Sequence, residues 1–214
     1  MEAVKQFSVP MALVDFIPVF LFGISAVLLQ RGLYNKMSKG AFALFAAGTI
    51  NVFTAGLLKA LYKLLYAMNI CDFAPLNNMF FPVQSIGFLL AGIGVIAMLV
   101  HKQTETVPAV AAAPAAFSGT FIFVTLMVLG FGFMNFGLAA VAKKLKKPVA
   151  VVLFCVSFVF SMMMGYLSSR NFEQASMNWI AEGVDILGQI ALLTAVCIIH
   201  KAGLKELKLE KRSA

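Results

Sequence analysis

The sequence predicts an all-α polytopic membrane protein with six transmembrane helices, on three observations. First, 61% of its 214 residues are hydrophobic and 12% are charged, about half the charged share of an ordinary soluble domain. Second, the mean hydropathy of +0.93 is spread along the whole chain, which leaves no sizeable soluble domain. Third, six apolar stretches each approach the roughly 20 residues that cross about 30 Å of hydrocarbon at about 1.5 Å per residue.

Taken in order, the first stretch covers 11–30. It could pass for a signal peptide, but Asp15 interrupts the apolar run and no small-residue cleavage site follows, so it reads as a retained span. The second covers 41–58, between Lys39 and the pair Lys59 and Lys63. The third, 79–100, ends at His101-Lys102, and the fourth, 117–141, runs into the basic loop KKLKKP. The fifth covers 149–167. The sixth, 177–199, opens with Trp179, which suits the interfacial aromatic belt. The domain reading follows: a three-helix half at 1–102, a Pro/Ala linker at 103–116, a second three-helix half at 117–200, and a basic tail at 201–214. The tail is expected to be a helical extension lying on the inner surface.

Features recur in the two halves. Each first span is followed by a basic loop, each third span ends in His-Lys, and Gln84 or Glu182 stands near the start of each third span. Three spans is an odd number, so tandem halves in one membrane are expected to be inverted repeats, a plan used by secondary transporters with the site between the halves. Lys and Arg in short loops set orientation. With both termini in the cytoplasm of a prokaryotic cell, twelve fall on that side and five on the other, with Arg31, Lys36 and Lys39 dissenting.

The last span holds Glu182, Asp185 and Gln189 at spacings that share one helical face. Counted back from His200 they lie about 27, 22 and 16 Å from the inner boundary. An aspartate at depth costs on the order of 2.5–3.5 kcal/mol on insertion scales, so it is expected to face a wet or charged interior. Asn51 falls near the depth of Gln189, and Asn135 lies within the fourth span. The expected binding set is therefore Asp185, Gln189, Glu182, Asn51 and Asn135. Arg170 or Arg31 would be the structural partner of the acids. At the inner end Asp15 is expected to pair with Lys59 or Lys63, as an anchor, a gate or a lipid contact. Small residues, among them Gly48, Gly87 and Gly130, are expected where helices approach closely.

The net charge of +8 points to anionic lipid headgroups rather than nucleic acid, because the basic residues cluster at span ends. Cys71, Cys155 and Cys197 have no ligand spacing, and neither a metal nor a cofactor is expected. Hydrolase, Walker and zinc-protease motifs are absent. The expected function is a small transporter or facilitator for a small molecule or ion, with a polar cavity between the halves. Competing classes are a substrate-binding subunit of a larger transport complex and a membrane-embedded lipid- or isoprenoid-processing enzyme. A homo-oligomer or partner subunit is compatible with either.

Overall fold

A computed structural model describes residues 8–100, 120–168 and 175–207. Within them the chain is all-α: α1 (Val9–Val14), α2 (Phe16–Leu33), α3 (Lys39–Ala67), α4 (Pro75–Asn78), α5 (Phe80–Val100), α6 (Thr120–Lys144), α7 (Pro148–Ser168) and α8 (Ala175–Lys201), followed by a 3-10 turn at Leu204–Glu206. Five segments are long and apolar enough to cross a membrane: Val9–Leu33, Lys39–Ala67, Pro75–Val100, Ile122–Lys144 and Met177–Lys201. They mark an integral, multi-pass membrane protein. The remaining apolar stretch, Pro148–Met164 of α7, is shorter.

Local chemistry sets the helix ends. Ser8 caps α1 by accepting the Met11 N–H at 3.4 Å, and Ser38 caps α3 by accepting the Ala41 N–H at 3.2 Å. Pro18 has no N–H to donate to the Val14 carbonyl and its ring crowds that carbonyl, so the helix breaks at Asp15. Pro82 acts in the same way, breaking α4 from α5 at Met79. These two breaks lie at one end of the bundle. The third element that matters, α3, continues to Ala67, well past the expected end at position 58. Lysine is a good helix former, so Lys59 and Lys63 end the hydropathy signal without ending the helix.

Side-chain contacts fix the direction of each helix. Antiparallel packing of α2 and α3 sets Val19 on Gly56, Phe53 on Gly23, and Tyr34 on Phe42. The α3–α5 pair is also antiparallel, with Gly48 against Gly87 and Ala91, and Gly94 against Ala41 and Phe45. By contrast α5 and α6 are parallel. Gly92 meets Gly130, the rings of Phe88 and Phe131 stand 4.8 Å apart, and Gly137 meets Val95 and Leu99. Beyond α6, Phe158 of α7 lies on Gly132 and Phe160 on Gly188 of α8. Finally α8 returns beside α2 and parallel to it: Lys63 touches both Asp15 and Glu182 at one end, and Leu204 covers Gly32 at the other. The helices thus form a closed ring in chain order, with α2, α5, α6 and α8 pointing one way and α3 and α7 the other.

This arrangement corrects the expected topology. Inverted halves would run in opposite directions, whereas the helices 9–100 and 120–201 run up, down and up in the same sense. The contacts along α5 and α6 show it: Gly130 lies against Phe88 and Leu89, and further along Gly137 lies against Val95 and Leu99, so the two helices advance in the same direction. Val100 and Thr120 therefore stand at opposite ends of the bundle. Ser8 and Leu207 also stand at opposite ends of the bundle; the termini themselves, expected on one side, lie outside the described residues. Only the start of the tail, 201–207, is described. Gly203, at φ +87°, ends α8 in the left-handed conformation, and the chain folds back so that Leu204 is fully buried. The linker at 103–116, Arg170 and positions 208–214 lie outside the described residues.

Phe45, Phe154, Leu29, Leu33 and Met134 are fully buried between the helices. Phe20, Ile24, Leu187 and Ile190 point outward and are about half exposed, as suits contact with lipid tails. On α8 the acids therefore face the inside and the aliphatic residues the outside.

Candidate functional site

At the end of the bundle marked by the two proline breaks, α2, α3, α5 and α8 leave a cleft of about 90 Å³. Its walls carry Asp15 from α1–α2, Lys59 and Lys63 from α3, Gln84 from α5, and Glu182, Asp185 and Gln189 from α8. Each is placed by a feature already described. The break before Pro18 puts Asp15 at a helix junction, where its side chain turns inward. The extended α3 carries its lysines one turn apart into the bundle. On α8 the three- and four-residue spacings align the acids and the glutamine along the cleft.

Lys63 is the hub. Its ammonium pairs with Asp15 and lies 3.4 Å from Glu182 Oε1. Lys59 places its Nζ 3.9 Å from the centre of the Phe80 ring, a cation–π contact in a desolvated setting. Gln189 donates from Nε2 to Asp185 Oδ1 at 3.5 Å. Asp15, Glu182 and Gln189 are each at least nine-tenths buried. Yet Asp15 Oδ1, Glu182 Oε2 and Gln189 Oε1 find no hydrogen-bond partner among the described residues. A buried polar atom without a partner costs free energy, and here three such oxygens line one cleft.

Charge and size then constrain what the cleft can hold. Among the described residues it carries three carboxylates against two ammoniums, so with every group ionised it lacks one positive charge. A water molecule occupies about 30 Å³ in the liquid, so about 90 Å³ admits roughly three waters or one small ion. Ligand pockets for drug-sized molecules run to about 300–1,000 Å³.

The structure brings together six of the eight residues singled out in the sequence: Asp185, Gln189, Glu182, Asp15, Lys59 and Lys63. It separates the other two. Asn51 is half-buried and does not line the cleft, although its neighbours Val52 and Phe53 do. Asn135 is fully buried in α6 and donates Nδ2–H to the Phe131 carbonyl of its own helix at 3.0 Å. The depths inferred for the acids also change: Glu182 and Asp185 stand at the same end as Asp15, Lys59 and Lys63, not opposite them, because α8 runs parallel to α2. For the same reason Arg31, at the far end of α2, cannot partner them. Gln84 and Phe80 were missed as site residues. The signal for Gln84 was a lone amide in an apolar run, and for Phe80 none beyond its nearness to Pro82.

No family model, curated protein or solved structure matches this chain. The functional reading therefore rests on the cleft.

Proposed function

We propose that this protein is a small membrane transporter or facilitator whose cation-binding site is the charged cleft between α2, α3, α5 and α8. Asp185 is the coupling carboxylate, held by Gln189; Asp15 and Glu182 share Lys63 beside it. The observation that carries this reading is a five-charge cluster with three orphaned buried oxygens inside an otherwise apolar bundle. Intramembrane ionisable groups are costly and mark ion pathways and proton relays. The missing positive charge favours a proton or one monovalent cation as occupant. The small volume argues against a large organic solute in this conformation. A multivalent ion is disfavoured as well, because among the described residues one added positive charge already balances three carboxylates against two ammoniums.

The test is flux in proteoliposomes holding the purified full chain, under an imposed proton or monovalent-cation gradient. Wild type is expected to dissipate the gradient, or to couple it to solute uptake, and Asp185→Asn to lose that flux while folding normally. Ligand retained without any flux would favour a binding subunit of a larger complex instead. Equal flux in wild type and Asp185→Asn would remove Asp185 from the mechanism.

A further inference from the structure

The helix directions redistribute the basic residues. Of the eleven described Lys and Arg, nine lie at the end of the bundle opposite the cleft: Arg31, Lys36 and Lys39 around the α2–α3 turn, four lysines between 143 and 147, and Lys201 and Lys205 after α8. The remaining two, Lys59 and Lys63, are largely covered in the cleft wall, where Lys63 pairs with Asp15 and Glu182 and Lys59 lies over the Phe80 ring. The described loop at the cleft end, from Met68 to Ala74, has no Lys or Arg and carries Asp72. The loop cluster that dissented under alternating spans now stands with the basic α6–α7 turn.

We infer that the basic end faces the cytoplasm, against the anionic leaflet of the membrane, and that the charged cleft opens on the outer face. Short loops rich in Lys and Arg are retained on the cytoplasmic side, and anionic headgroups attract basic residues at that surface. Both effects act in the same direction here, and no short basic loop among the described residues opposes them. The cleft thus receives its ion from outside in this conformation, and the first and last described residues, Ser8 and Leu207, lie on opposite sides. The orientation follows from charge and helix direction alone, so it stands or falls separately from the transport reading.

Two thiol reporters test it. Cys71 is exposed in the loop at the cleft end, while Cys155 and Cys197 are partly covered within helices. In cells expressing the full chain, a membrane-impermeant maleimide is expected to label Cys71 before permeabilisation, and Cys71→Ser to abolish that signal. At the basic end Asn35 is exposed and uncharged, so Asn35→Cys in the Cys71→Ser background leaves the basic count intact. It is expected to react only after permeabilisation. Labelling of Asn35→Cys in intact cells overturns the orientation, whether or not Cys71 also reacts. So does a Cys71 that reacts only once the cells are opened.

Discussion

Replacing Lys63 with methionine removes one ammonium from between two carboxylates. The Lys63–Glu182 separation is 3.4 Å, and at an effective dielectric of about 20 that distance corresponds to roughly 5 kcal/mol of attraction. Asp15 adds a second, closer contact. The full Coulomb sum is not what a stability measurement returns, since the carboxylates can bind protons or draw in water once the ammonium is gone. Removing one partner of a buried ion pair generally costs about 3–5 kcal/mol, and Lys63, Asp15 and Glu182 are all close to nine-tenths buried. Lys63→Met is therefore expected to be destabilised by about 3–5 kcal/mol, read from reversible denaturant unfolding in micelles. The double variant Lys63→Met/Asp15→Asn should recover a large part of that loss, because it removes one of the stranded charges. A single variant within about 1 kcal/mol of wild type is the behaviour of an exposed pair. That result, with no coupling in the double variant, would refute the buried hub.

Four further outcomes follow from the same geometry. A methyl group at Gly94 would lie 2.7 Å from the Ala41 carbonyl oxygen and 2.9 Å from the Phe45 nitrogen, so Gly94→Ala must push α3 and α5 apart and is expected to cost about 1–3 kcal/mol. At Gly183 nothing lies within 4 Å of such a methyl, so Gly183→Ala should unfold at the same denaturant concentration as wild type or a higher one. Asn51→Ala is expected to leave ion flux unchanged while Gln189→Leu reduces it, since only Gln189 lines the cleft; equal losses would place Asn51 in the pathway. Finally, Leu204 folds the chain after α8 over Gly32. Gly32→Leu should displace that turn and make the bond after Lys205 cleave faster in limited trypsin digestion; an unchanged cleavage rate counts against the docked turn.

The helical, membrane-embedded class was legible because hydropathy integrates over long windows, and five of the stretches satisfy it in the structure. The acids of α8 were legible because a carboxylate in an apolar run is costly wherever it lies. Helix direction was not. Alternating spans followed from counting, but the contacts of Gly130 with Phe88 and Leu89 and of Gly137 with Val95 and Leu99 run α6 parallel to α5, and no local pattern reports which glycines will meet. The parallel run of α8 beside α2 puts Glu182 and Asp185 at the end that holds Asp15 and Lys63, and so converts two separate expectations, an inner anchor and an outer acid pair, into one cluster. The extent of α3 was hidden for a different reason. Lys59 and Lys63 depress hydropathy in the same way whether they reach water or are neutralised inside the bundle. Asn51 shows the limit of depth arguments: it shares a level with Gln189 but not a facing direction.

The central claim is that the cleft takes up one positive charge at Asp185 and its neighbours. Charge movement recorded from protein-loaded membranes on a solid support, after a rapid jump in proton or monovalent-cation concentration, measures that step directly. A transient current in wild type that disappears in Asp185→Asn, while the variant stays folded, is the expected result. The same current in both proteins, or none in either, would contradict the account.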